Sequence, residues 1–173
     1  MINLTDYIRS VYDFPVQGVH FRDITPLLEN PLAFSEAVKQ LANTVREWGP
    51  FDGIAAPEAR GFVFAAPLAI ELGIGLITIR KPGKLPYKTV SISYELEYGS
   101  NTIQMHEDAV KPGDRILLAD DLLATGGTME ACRKLLEKQG ATVVGAVFVI
   151  ELLDLKGRKN VNLDKIETLI KYT

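Results

Sequence analysis

Residues 116–128, ILLADDLLATGGT, decide how the fold is read. Ile116, Leu117, Leu118 and Ala119 run without a polar break into two adjacent acids, Asp120 and Asp121. An apolar run of this kind is a strand covered on both faces, as in a parallel sheet. After the acids, Ala124, Gly126 and Gly127 put little or no side chain in the way of a turning backbone. Thr125 and Thr128 add hydroxyl donors. A helix predicted to begin near Thr128 would turn its unpaired N–H groups and positive dipole end toward this turn. The segment therefore reads as strand, phosphate or carboxylate cradle, helix. It is not a Walker loop, because the lysine of that motif is missing and Met129 follows Thr128, and it does not match G-x-G-x-x-G either.

Carboxylates only accept hydrogen bonds, so Asp120 and Asp121 must face something other than phosphate. Sugar hydroxyls or a hydrated Mg²⁺ are the natural partners. A lone Asp here would serve equally well to end a strand and cap a helix. The pair, followed by Thr-Gly-Gly-Thr, points to a ribose phosphate.

Outward from this segment, strands and helices alternate. FDGIAAP, GLITIR and TVVGAVFVIEL read as further buried strands, and GFVFAAPLAIELG and TMEACRKLLEKQG as helices. This is the pattern of an α/β protein whose mostly parallel sheet is flanked by helices. NPLAFSEAVKQLANTVREWG is a further helix, with Asn30 as N-cap, Pro31 at the first position and Gly49 as stop. Phe34, Val38, Leu41, Val45 and Trp48 share one face at helical spacing and read as core. Ligands of such sheets sit at the C-terminal ends of the strands, which singles out residues 57–61, 80–88 and 120–128. TVSISYELEYGSNTIQMHE departs from the alternation and reads as a two-stranded excursion turning at Gly99-Ser100.

The 173 residues suit one domain, and 47% hydrophobic residues suffice for a full core. A net charge of −3 makes nucleic acid a poor default partner. The single cysteine, Cys132, rules out an intramolecular disulfide and reads as a packed residue. MINLTDYIRSVYDF lacks a basic start followed by an apolar run, and no apolar segment approaches the roughly 20 residues needed to span a bilayer. We therefore expect a cytoplasmic protein without membrane contact. No structural metal site is expected, since no His, Cys and Asp cluster has ligand spacing.

LLADDLLATGGT resembles the phosphoribosyl-diphosphate (PRPP) signature of the type I phosphoribosyltransferases, in the form carried by their adenine-using branch. FPVQGVHFRDITPLL (14–28), PEARGFVFAAPLA (57–69), IRKPGKLP (79–86), YELEYGSNTIQMHEDAVKPGD (94–114) and VIELLDLKGR (149–158) resemble further parts of that family in the same order. The resemblance spans nearly the whole chain. It implies the type I phosphoribosyltransferase fold: about five mostly parallel strands, an N-terminal hood at about 1–30 and a flexible catalytic flap at about 81–105, all in one domain. It further implies transfer of the 5-phosphoribosyl group from PRPP to adenine, giving AMP and diphosphate, with substrate-bound Mg²⁺, in a homodimer.

The same resemblance implies roles for individual residues. Ala124, Thr125, Gly126, Gly127 and Thr128 would hold the 5′-phosphate, and Asp120 and Asp121 the ribose hydroxyls, directly or around Mg²⁺. Glu58, Ala59 and Arg60, with Arg80, Lys81 and Lys84, would hold the diphosphate, with a strained or cis Glu58–Ala59 peptide. Pro57 departs mildly from the family, where a small or polar residue is common. Phe21 and Leu122 would sandwich adenine, His20 would read its edge through the backbone, and Arg22 would lie near the same pocket. Glu97 would stand over the reacting atoms, with Tyr98 shielding them from water. The residues alone would read Glu95 and Glu97 as a solvated ribbon face. A relative acting on an oxopurine and a PRPP-sensing regulator are the alternatives. The hood segment speaks against the first, and the lack of a basic DNA-binding module against the second.

Overall fold

The computed structural model describes residues 2–95 and 100–173. After a short turn of 3₁₀ helix come strands β1 (Arg9–Tyr12) and β2 (His20–Asp23), then helices α1 (Thr25–Glu29) and α2 (Pro31–Val45). There follow β3 (Gly53–Pro57), α3 (Arg60–Leu72), β4 (Gly75–Ile79), and the pair β5 (Thr89–Glu95) and β6 (Ser100–His106). The chain ends with β7 (Arg115–Leu123), α4 (Gly127–Lys138), β8 (Thr142–Leu152) and β9 (Ile166–Tyr172).

The central sheet has the order β4-β3-β7-β8-β9, with every neighbouring pair parallel. Strand alternation explains its two cores. Ile54, Ala56, Leu117 and Ala119 pack on the side of α2 and α3, while Ala55, Ile116, Leu118 and Phe148 pack on the side of α4 and the β5–β6 ribbon. All five residues of β3 are buried, as an unbroken apolar run requires. Helix α2 starts as the sequence indicates: the Asn30 side chain accepts from the N–H groups of Leu32 and Ala33, with Pro31 next to it. Its helical path ends at Val45, and one 3₁₀ turn continues to Trp48 before Gly49. On the predicted stripe Val38, Leu41 and Val45 are buried, and Phe34 and Trp48 are partly so.

Three features lay outside the sequence reading. The strand ILLAD extends to Leu123, because the long β8 supplies backbone partners that far, pairing Leu122 with Ile150 and Leu123 with Glu151. Main-chain pairing takes no account of side-chain charge, so Asp120 and Asp121 lie within the strand. The fifth sheet strand is β9, whose residues alternate too weakly to announce it. The N-terminal region forms its own antiparallel pair, β1 with β2, against the strand ends. The ribbon around residue 100 is antiparallel, pairing Thr89 with His106 through Glu95 with Ser100.

Candidate active site

The C-terminal ends of β3, β4 and β7 meet at one edge of the sheet, and each delivers charge. From β7, Asp120 and Asp121 lead into the turn at 124–126, and Gly126 takes φ +85° to start α4. That conformation excludes most side chains. Residues 120–129, Arg60 and Phe148 enclose a hollow of about 190 Å³. Helix α3 begins with Arg60, and Gly61 lets it come close. A Cβ at Gly61 would stand 3.0 Å from Asp120 Oδ1 and 3.2 Å from Pro57 Cδ. Arg60 Nε pairs with Asp121 Oδ2 at 3.0 Å; the arginine is 45% exposed and the carboxylate 4%.

The two acids differ in electrostatics. Burial and the neighbouring Asp121 charge push the Asp120 carboxyl well above the ordinary carboxylate range. Burial also pushes Asp121 up, and the Arg60 guanidinium opposes that shift. The Asp121 N–H donates to Asp120 Oδ1 at 2.8 Å, tying the pair together.

The third strand end is braced by Glu58. Its Oε2 accepts from Arg80 Nε at 2.8 Å and its Oε1 from the Lys81 N–H at 2.8 Å. The Lys81 N–H holds this carboxyl below its usual range, burial opposes that, and Arg80 adds to the lowering. Arg80 also donates to the Lys84 carbonyl and exchanges backbone bonds with Gln104 of β6. The Glu58–Ala59 peptide is cis. Arg60, Lys81 and Lys84 leave cationic groups at least partly exposed on this edge, whereas Arg80 is largely engaged within the protein.

A family model described as phosphoribosyl transferase domain matches residues 23–171. The adenine phosphoribosyltransferase of Kosmotoga olearia is 51% identical over 99% of this chain and 100% of its own length. That of Carboxydothermus hydrogenoformans is likewise 51% identical, over 99% and 100%. The chain belongs to the adenine phosphoribosyltransferase family. Among solved structures of the family, that from Thermoanaerobacter pseudethanolicus superposes with a TM-score of 0.94 at 48% identity, covering 98% of each chain. The Saccharomyces cerevisiae enzyme, crystallised with an imino-altritol bisphosphate and adenine, gives 0.92 at 34% identity, covering 96% of each chain.

The remaining predicted residues fall into separate places. In β2 successive side chains alternate, so Phe21 lies on the opposite face from His20 and Arg22. The Phe21 ring lies 5.7 Å from Arg60 Cζ and meets Phe14 edge-on at 5.1 Å. Leu122 lines the hollow beside Arg60. His20 instead stacks on Tyr12 at 4.2 Å, and its buried Nε2 has no partner among the described residues. The Arg22 guanidinium lies 3.9 Å above the Tyr172 ring and donates to Ser10 Oγ at 2.6 Å. Both line a separate cavity of about 390 Å³ with Leu152 and Tyr172. Their side chains are thus turned away from Phe21, which leaves only their backbone on its side. Glu97 and Tyr98 lie outside the described residues.

Two contacts escaped the sequence. Tyr94 of β5 brings its hydroxyl 3.1 Å from Thr128 Oγ1, joining the ribbon to the loop. Asn160, in the stretch before β9, donates from Nδ2 to the Thr125 carbonyl at 2.7 Å. Asn160 lies outside every stretch that carries the family resemblance, and Tyr94 opens one of them without a role of its own being implied. Cys132 is fully buried, which pushes its thiol far above its usual range and leaves it a packed residue. No group of three or more His, Cys, Asp or Glu among the described residues is arranged to hold a metal.

Proposed function

We propose that the protein transfers the 5-phosphoribosyl group of PRPP to adenine, forming AMP and diphosphate in purine salvage. The observation that carries this is the meeting of three strand ends: an acid pair, a Thr-Gly-Gly-Thr turn at a helix N-terminus, and exposed cations at one edge. A ribose with a phosphate at one end and a diphosphate at the other needs those three chemistries in that arrangement.

In this reading the backbone and hydroxyls of residues 124–128 take the 5′-phosphate. Asp120 and Asp121 accept from the ribose hydroxyls, so the Arg60–Asp121 pair loosens as Arg60 turns to the diphosphate. Lys81 and Lys84 add charge there. Glu58 faces cations, so its contribution to the diphosphate is to hold Arg80 and the Lys81 backbone in place. The base lies between Phe21 and Leu122, and its edge meets main-chain groups of His20 and Arg22. N9 attacks the anomeric carbon, the bond to the diphosphate oxygen breaks, and the N9 proton leaves. Glu97 stabilises the developing positive charge or takes that proton, and Tyr98 helps exclude water.

Mg²⁺ fits the donor set as a substrate-borne ion. Two carboxylates are too few to cage it alone, and hard oxygen ligands of this kind complete a shell made mostly of phosphate and hydroxyl oxygens. When bound it supplies charge neutralisation for the departing diphosphate. We further propose a homodimer in the cytoplasm, a hood at about 1–30 and a closing flap at about 81–105 within one domain. Adenine and PRPP are its small-molecule partners, with no role for nucleic acid or membrane. Among the described residues no helix is long and apolar enough to cross a membrane.

The test is a base panel: PRPP and Mg²⁺ with adenine, hypoxanthine, guanine or xanthine, followed by chromatography of the nucleotides. AMP formed with a large preference for adenine is expected. Turnover of an oxopurine in its place would overturn the reading of the hood. E97Q should fold normally and lose at least about 100-fold in kcat, the usual scale for a proton-handling group; near wild-type turnover would remove Glu97 from the reaction.

A further inference from the structure

The loop at 124–128 has a back wall to which the sequence assigned no role. Residues 157–161 lie directly against it, main chain to main chain. A Cβ on Gly126 would stand 2.5 Å from the Gly157 carbonyl oxygen and 3.0 Å from Val161 Cγ2. A Cβ on Gly157 would collide with the Ala124 carbonyl oxygen. Two glycines, one on each side, thus permit an approach that any side chain would prevent.

This wall is anchored. Glu151 is buried near the end of β8 and receives both Arg158 Nε at 2.7 Å and Nη2 at 2.9 Å. Thr168 of β9 donates to the same carboxylate at 3.0 Å, and Arg158 Nη1 donates to the Ile166 carbonyl at 2.5 Å. Burial works against the Glu151 charge, but Arg158 and Thr168 outweigh it and hold its carboxyl below the usual range. Farther along, the Asn162 N–H donates to Glu130 of α4 at 3.1 Å. The segment is therefore pinned to β8, β9 and α4, and it presents the Asn160 amide to the Thr125 carbonyl.

We infer that Asn160 is a positioning residue for the ribose phosphate: it fixes the Thr125–Gly126 peptide plane and so aims the loop's N–H groups. A trans peptide directs its N–H opposite to its carbonyl. With the Thr125 carbonyl held on Asn160, the Gly126 N–H is turned away from the wall, and the same plane sets where α4 begins. Free rotation of this peptide would misalign a donor that a dianionic phosphate requires. Asn160 touches no substrate, and it is exposed, so its contribution to folding is small. The inference rests on the proposed placement of the 5′-phosphate in this loop.

The test compares wild type, N160A and N160D by steady-state kinetics with each substrate varied, by calorimetric titration of ribose 5-phosphate, and by thermal unfolding. For N160A, KM for PRPP should rise about three- to tenfold, the usual worth of one hydrogen bond, with a matching loss in ribose 5-phosphate affinity. KM for adenine and kcat should stay within about twofold, and Tm within about 2 °C, as for a surface substitution. N160D should be worse than N160A, since it sets a carboxylate against the Thr125 carbonyl near an anion site. Unchanged ribose 5-phosphate affinity would overturn the inference. So would a parallel loss in both KM values with a lower Tm, which would make Asn160 a general structural residue. If the wild type turned over no purine, the proposed function would fall, while the ribose 5-phosphate titration would still decide the role of Asn160.

Discussion

The loop at 124–128 is gripped main chain to main chain by residues 157–161, whereas the hood pair β1–β2 reaches the central sheet and α3 through side chains of β2: Arg22 on Tyr172 and Phe21 beside Arg60. Backbone packing of the first kind has two discrete outcomes, fitted or displaced. Side-chain stacking of the second kind yields gradually. The difference suits the two halves of the proposed substrate pair. A phosphate demands several N–H groups in fixed places, while a flat base needs two faces and an edge. It also teaches where to expect abrupt losses and where graded ones.

The largest effect should come from the gripped side. G126A forces a Cβ to 2.5 Å from the Gly157 carbonyl at a residue with φ +85°. The loop must shift, and misplacement on the order of 1 Å is enough for about a 100-fold loss in kcat/KM for PRPP. Circular dichroism should still report the folded sheet. A G126A enzyme with near-normal PRPP kinetics would show that the loop is pliable and would dissolve the contrast with the hood. F21A probes the other side. Losing one aromatic face costs about 1–3 kcal/mol of stacking, seen as a roughly 5- to 150-fold rise in KM for adenine with KM for PRPP unmoved. Coupled changes in both values would mean that hood and loop act as one body.

This contrast also marks what was legible in the sequence. Apolar runs and small-residue turns are local, so β3, β4, β7, β8 and the Ala124–Thr128 cradle could be read directly. Gly157 and Asn160 owe their importance to the loop at 124–126, more than 30 residues earlier in sequence, and only the path of β8 and β9 brings them to it. The Arg60–Asp121 pair is equally non-local: each residue was assigned to a different part of the substrate, and folding places them 3.0 Å apart. Arg22 was expected near the base pocket and His20 through its backbone alone; strand alternation puts both side chains on the face of β2 opposite Phe21. That follows from β2 being a strand, which HFRD is too short to disclose.

A smaller effect, with a sign that can be checked, concerns Asp120. Its carboxyl is raised by burial and by the Asp121 charge. A carboxyl raised in the folded state contributes stability that is fully present below its unfolded pKa and is lost as pH rises through the folded value. D120N removes that loss while its amide oxygen still accepts from the Asp121 N–H. Its Tm should therefore match wild type in acid and exceed it by a few degrees at neutral pH and above, while PRPP turnover falls. A D120N enzyme less stable than wild type at pH 8 would show that the Asp120 charge is better compensated than its burial indicates. Either way the acid pair belongs with the rigid side, since both carboxylates lie within β7, and a Cβ at Gly61 of α3 would stand only 3.0 Å from Asp120 Oδ1.

The smallest effect should come from Tyr94, which joins the ribbon to the loop through Thr128 at 3.1 Å. If the loop is shaped from behind by residues 157–161, this contact in front is replaceable: a phosphate oxygen can take over as partner of the Thr128 hydroxyl. Y94F should then lower stability by about 1 kcal/mol, the net worth of a hydrogen bond, and change KM for PRPP by less than about threefold. N160A should exceed it in KM although Asn160 is the more exposed residue. A rise in KM for PRPP of tenfold or more in Y94F, on the order of 1.4 kcal/mol, would place the ribbon in the phosphate wall. The flap would then contribute to binding the sugar phosphate as well as to covering the reaction, and the loop would be held from both sides.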